Sequence, residues 1–181
     1  LYSAHAPLDN FERMSPSYCL AKKFNYNIVS ELKEDGRSFG FVLSTNSCPF
    51  DDIHCKVRLI TGLPNLQVFE DHRKVERMAV VAGGGDNADW LDIAEQEGCD
   101  TYLTGILFFR GSPYAREHNP VFIERLQEKN INGIGASHYL TEVYGIRKFA
   151  FHLSTQLYLP VNFIYESKKV DSIKNGWGMI I

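Results

Sequence analysis

The period of apolar positions changes several times along this chain, and each change marks an element. Residues 78–82 are continuously apolar and stop at Gly83-Gly84-Gly85, the pattern of a strand buried on both faces. Residues 49–61 instead set Phe50, Ile53, Val57 and Ile60 on one helical face, with Gly62 as a stop and Ser47 placed to cap the start. Ser15-Pro16 opens a helix to Phe24, because proline is tolerated in a first turn. Further helices are predicted at 88–97, closed by Gly98, at 120–130, with Val121, Ile123 and Leu126 turned inward, and at 139–157. Strands are predicted at 1–5, running into a turn at Pro7, and at 38–44, 66–69, 77–82, 101–104, 132–136 and 161–165. Residues 32–36 are polar and read as a loop, and the tail from Glu166 is polar as well.

From Arg77 onward strand and helix alternate strictly. The strands are apolar on both faces, which predicts an α/β fold: a layered sheet with helices on both faces. No internal repeat or low-complexity segment divides the chain. Residues 1–181 read as a single domain, with 25–70 as the one candidate peripheral lobe.

Composition narrows the function. With 44% hydrophobic and 23% charged residues, the chain is neither a disordered tail nor a coiled coil. Nineteen Lys and Arg against 22 Asp and Glu leave a net charge of −3. There is no basic excess of the kind a nucleic-acid binder carries, so no nucleic-acid partner is expected. No apolar run approaches a membrane span, so no membrane association is expected either. Cys19, Cys48, Cys55 and Cys99 are scattered, with no Cys-x-x-Cys pair. Two disulfides in an oxidising compartment would satisfy them. Free, mostly buried thiols in a reducing one are the simpler reading, and a cytoplasmic location follows from it. Because Leu1 falls inside a predicted strand, the chain reads as N-terminally incomplete.

Three segments carry candidate chemistry. In Ser137-His138-Tyr139-Leu140-Thr141-Glu142, a helix starting near Tyr139 would put His138 and Glu142 on roughly one face, where both could reach one metal ion. An acidic residue in a first helical turn is also favoured by the macrodipole alone, and on spacing alone that second reading is favoured. In His5-Ala6-Pro7-Leu8-Asp9, both polar side chains could face a sheet end, although Asp near Pro is also an ordinary turn residue. A mixed set of His and carboxylate donors suits zinc, iron or manganese. Gly83-Gly84-Gly85-Asp86 lies between a strand and a helix and could receive a phosphate on backbone N–H groups, or simply let the helix pack close. His54, His72, His118 and His152 are isolated. Phe108-Phe109 and the cluster Phe149, Phe151 and Tyr158 read as core or interface, and Asp100 is assigned no role.

Taken together, four segments resemble the motifs of the NIF-three-like family, dinuclear-metal hexameric proteins often described as type-2 homologues of GTP cyclohydrolase I. They are Tyr2-Ser3-Ala4-His5-Ala6-Pro7-Leu8-Asp9, the strand 78–82 with its three glycines, Gly98-Cys99-Asp100-Thr101-Tyr102-Leu103-Thr104-Gly105, and Ser137 through Glu142, in the family's order. The resemblance implies a NIF-three-like α/β fold in which Asp9, His138 and Glu142 ligate a divalent metal ion. It places His5 beside them as a catalytic proton carrier, and implies a homo-oligomer. The function it implies is metal-dependent hydrolysis of the cyclohydrolase type, with a nucleotide or phosphate-containing small molecule as substrate. A non-catalytic metal carrier, an oligomeric interaction protein, and a fold that has lost its metal are the alternatives. Three features depart from the family. Its His-His pair belongs to a segment that would precede Leu1; Thr104-Gly105 is followed by Ile106-Leu107-Phe108-Phe109 instead of Glu and nearby histidines; and Ser137 stands where Gly is common.

Overall fold

The computed structural model describes residues 5–70, 72–109, 111–157 and 160–165. Its helices are α1 (His5–Asp9), α2 (Pro16–Lys23), α3 (Phe50–Thr61), α4 (Ala88–Gln96), α5 (Pro113–Lys129) and α6 (His138–Leu157), with one 3₁₀ turn at Glu12–Met14. The strands are β1 (Asn27–Glu34), β2 (Arg37–Pro49), β3 (Gln67–Phe69), β4 (Lys74–Val81), β5 (Thr101–Thr104) and β6 (Asn132–Gly135). They form one sheet in the order β1-β2-β4-β5-β6-β3. The β4, β5 and β6 strands run parallel, and β1, β2 and β3 each join antiparallel.

The apolar run of β4 explains the layering. Successive side chains point to opposite faces, and all are buried. Met78 and Val80 enter a core with Leu20 of α2, Phe24 just after it, and Ile53 and Val57 of α3, and Tyr144 of α6 packs at its margin. Ala79 and Val81 enter the other core, with Leu91 and Ala94 of α4 and Phe122 and Leu126 of α5. Helices therefore cover both faces, as the sequence pattern predicts. No described helix is long and apolar enough to cross a membrane.

Several expectations are corrected. Residues 32–34 are the end of β1 and not a loop; this edge strand is mostly exposed, and Leu32 is its one fully buried side chain, so its polar face hides it from pattern reading. Strand β2 runs past Ser44 through a register shift, and Asn46 and Ser47 there have φ of 59° and 61°. Ser47 thus belongs to an irregular strand, and α3 follows Pro49 with no side-chain cap. Helix α5 starts at Pro113, where the Ser112 hydroxyl accepts from Ala115 N–H at 3.1 Å, and passes through Pro120 on the exposed side. His5 opens a helix; the rest of the strand expected at 1–5 lies outside the described residues, as do Tyr158 and the tail from Glu166. Residues 161–165 form no strand: Arg147 of α6 donates to the Tyr165 hydroxyl at 2.6 Å, which turns this segment toward α6.

All four cysteines are free. Burial pushes the Cys19 thiol up, and that of Cys99 to about 12, so both are unreactive packing groups.

Candidate metal centre

Parallel strands β4, β5 and β6 end at one edge of the sheet, where loops gather side chains from distant parts of an α/β chain. The three strand ends are stitched together. Gly105 N–H donates to the Gly83 carbonyl at 3.0 Å, and Ala136 N–H donates to that of Thr104 at 2.9 Å. A Cβ on Gly105 would lie 2.5 Å from the Gly83 carbonyl oxygen and 2.7 Å from the His138 Cα, so only glycine allows this approach. Ser137 precedes α6 with a φ of 70°, a conformation that favours glycine.

His138 is the first residue of α6, which makes Glu142 its neighbour one turn on. His138 Nε2 lies 3.2 Å from Glu142 Oε1. The carboxylate beside it raises the His138 pKa above the usual imidazole value, against the opposing effect of burial. Asp86 and Asp9 push in the same direction more weakly. The pair leans over Gly83: a Cβ there would sit 2.2 Å from Glu142 Oε1 and 3.2 Å from His138 Nε2.

Asp9 reaches the same place from α1, which is anchored by the buried Leu8. Asp9, Glu142 and His5 line one cavity of about 380 Å³. Burial raises the Asp9 carboxyl above its usual range. The nearby Glu142 adds to that, and His5 and His138 counter it. His5 Nδ1 lies 3.6 Å from Asp9 Oδ2, and its side chain is 76% exposed. The far wall of the cavity comes from β1, β2 and α4: Arg37 and the ring pair Phe39–Trp90, stacked 4.6 Å apart, with the Trp90 indole donating to Glu34 at 2.8 Å.

The donor chemistry, one imidazole and two carboxylates, suits a borderline divalent ion. The geometry is short of a finished site. Among the described residues no group of three or more His, Cys, Asp or Glu side chains is disposed to hold a metal ion. His138 and Glu142 converge, while Asp9 stands on the same cavity close enough to act on their charge but outside a shared coordination sphere.

The glycine turn does not offer a phosphate cradle. Gly83 N–H is taken by the Thr141 hydroxyl oxygen at 2.9 Å and Gly85 N–H by that of Thr104 at 3.0 Å. Sequence reading missed both threonines. Thr141 is wholly buried, and its own proton faces the Ser137 and His138 carbonyls, each at 2.9 Å. A Thr three residues into a helix can bond back to the preceding turn, which was the available signal. The Ser17 hydroxyl adds a third tie, accepting from Ala82 N–H and donating to the Phe39 carbonyl, both at 3.0 Å. The loop after β5 is held by two amide side chains. Gln67 accepts from Leu107 and Phe108 N–H at 3.0 and 2.9 Å, and Asn119 accepts from Phe109 N–H at 3.1 Å. Asp100 lies at the opposite end of the sheet, where its carboxylate accepts from Glu76 and Arg77 N–H at 2.7 and 3.2 Å; it ties strands together away from the site.

The fold and its edge define a class: a layered α/β protein with an acid–imidazole pair on the helix that follows the last parallel strand. Residues 1–170 match the family model Duf34/NIF3 (NGG1p interacting factor 3), and the chain belongs to that family. It is 27% identical over 167 residues to a GTP cyclohydrolase 1 type 2 homolog of Yersinia pestis, covering 91% of this chain and 60% of that one. A relative of the same name from Deinococcus radiodurans is 25% identical, with 91% and 58% covered. The chain thus spans about three fifths of the length of these relatives. Among solved structures it resembles protein ybgI, described as of unknown function, with a TM-score of 0.72 at 24% identity over 91% of this chain and 60% of that one. It also resembles reduced HcgD from Methanocaldococcus jannaschii, with a TM-score of 0.67 at 26% identity, covering 88% and 58%.

Proposed function

We propose that this chain binds a divalent metal ion, zinc, iron or manganese, through His138 and Glu142 with Asp9 as third donor, and serves as the metal-holding part of a metal-dependent hydrolase. The observation that carries the reading is the His138–Glu142 pair at 3.2 Å, leaning over a glycine and sharing a cavity with Asp9. The names of the relatives, GTP cyclohydrolase 1 type 2 homolog, support the hydrolase class. When bound, such an ion makes a water molecule acidic enough to be a nucleophile near neutral pH. The chain's own residues supply the rest. His138 Nε2 and the Glu142 carboxylate would hold the ion, Asp9 would be the third donor, and His5 at the cavity wall would move a proton to or from substrate. A nucleotide or phosphate-containing substrate and a homo-oligomeric assembly complete the reading.

Metal content of protein purified without chelator tests it. Wild type should retain substoichiometric to equimolar metal, and His138→Ala should retain none while keeping its circular dichroism. Equal metal in both would sink the assignment. Turnover of GTP and simple phosphoesters by the loaded protein then separates an enzyme from a non-catalytic metal carrier. One observation favours the carrier: the loop after β5 presents Ile106, Leu107, Phe108 and Phe109, with the N–H groups of the last three occupied, so it brings few polar groups to the site.

A further inference from the structure

Helices α2 and α6 enclose a second groove of about 310 Å³ that shares no lining residue with the cavity described above. Lys22 and Lys23 line it from α2, Arg147 and Lys148 from α6, over Tyr18 and Tyr144, and no carboxylate lines it. Along α6, Lys148 is ten residues beyond His138, about 15 Å at the helical rise per residue.

These four cations differ from others on the molecule in facing one concavity together; singly, Lys56 over the Tyr26 ring at 3.8 Å and Arg77 on the Glu97 carbonyl at 2.8 Å are likewise held by neutral groups. Elsewhere Lys33 pairs with Glu31 at 2.7 Å, Arg125 with Asp92 at 2.7 Å, and Lys129 with Asp92 at 3.1 Å. In the groove none of the four has a carboxylate partner among the described residues. Neutral groups steady three of them instead. The Lys23 ammonium lies 4.7 Å from the Tyr144 ring centroid, and that of Lys148 lies 5.6 Å from Tyr18 and donates to the Arg13 carbonyl at 2.7 Å. Arg147 donates to the Tyr165 hydroxyl. The helix dipole accounts for Lys22 and Lys23, which occupy the last turn of α2. It does not account for Arg147 and Lys148, which sit in the middle of the twenty-residue α6. In a chain of net charge −3, four like charges facing one concavity repel each other unless an anion joins them.

We propose that this groove binds the di- or triphosphate group of a small ligand. Two helices supply donors from opposite walls, as a multiply charged anion requires. The pocket is too small for more than the charged group and its nearest atoms, and the overall acidity disfavours a long polyanion.

The test uses the full chain in the presence of a chelator, so that no metal takes part and the outcome is independent of the hydrolase reading. The probe is inorganic tripolyphosphate, titrated by calorimetry and by thermal unfolding at constant ionic strength. Saturable binding with a stabilised melting transition is expected for wild type. The double variant Lys22→Gln/Arg147→Gln should lose at least tenfold in affinity, and Lys33→Gln, on an exposed paired lysine elsewhere, should lose nothing. Lys22→Gln alone changes one exposed side chain that has no carboxylate partner among the described residues; it keeps the fold and should weaken binding several-fold. Three results would overturn the proposal: no saturable binding, equal binding by wild type and Lys22→Gln, or tighter binding of a single-stranded RNA 20-mer than of tripolyphosphate, which would assign the groove to a polymer.

Discussion

Gly83 shows how one residue can serve the site more than the fold. It has a φ of 75°, and its missing side chain is where Glu142 rests. Gly83→Ala should cost about 1 kcal/mol from the left-handed backbone. Its larger effect should be on the metal, because the new methyl pushes the flexible Glu142 carboxylate off His138. Chemical denaturation and metal analysis on the same variant check both halves; full metal retention would contradict the second. Thr141 works through the backbone. Thr141→Val leaves Gly83 N–H buried without an acceptor, a loss of about 1–3 kcal/mol, and Thr141→Ser should restore most of it. Amide exchange at Gly83, fast in the valine variant and slow in the serine variant, is the readout. His138 and Glu142 were legible as a pair, because i,i+4 spacing at a strand-to-helix junction is local information. The Phe39–Trp90 stack was not, because those rings are brought together only by the packing of α4 against the first two strands.

At the scale of elements, the strands buried on both faces were the easiest to read, β5 to the residue and β4 within a few positions. The misreadings share a cause: local punctuation outweighed tertiary context. Pro120 looked like a helix start because proline belongs in first turns, yet on an exposed face α5 tolerates it, since solvent can take the carbonyl it leaves unpaired. Residues 161–165 are rich in strand-forming Val, Phe, Ile and Tyr, but a strand needs a sheet partner, and this segment turns to Arg147 of α6 instead. Helices α4 and α5 are joined across their exposed sides by Arg125, Lys129, Asp92 and Glu95. Burial pushes the Asp92 carboxyl up, but hydrogen bonds from Lys129 and Arg125 outweigh it, and the net shift is downward. A depressed carboxyl stabilises the fold above its ordinary range and stops doing so as pH falls through the folded-state value. Asp92→Asn should therefore destabilise by about 0.2–1 kcal/mol at pH 7, given the partial exposure of the pair, and by less at a pH well below the ordinary carboxylate range. Urea midpoints of the two proteins at both pH values measure this, and an unchanged difference at low pH would refute it.

The whole molecule is one sheet whose two edges resist extension. β1 is an edge strand carrying the paired charges Lys33 and Glu31, and β3 is only three residues long. If copies assemble, as proposed, they meet through helix or loop surfaces and not by joining sheets. Light scattering should give a mass that is a multiple of 20.6 kDa; a monomer peak held over a wide concentration range would count against assembly. The layered fold was legible because alternation of apolar strands and helices is written along the chain, whereas the position of α1 was not, since a five-residue helix carries too little periodicity. The Thr141 clasp also has a consequence for kinetics. It joins residues 58 apart, across both parallel crossovers, while the antiparallel pairing of β1 and β2 closes over a two-residue turn. Contacts of long sequence separation carry the larger loop-closure entropy and form late. The edge bearing His138 and Glu142 is thus expected to assemble after the β1–β2 hairpin, and a chain stalled partway through folding would hold that hairpin before the His138–Glu142 pair stands over Gly83.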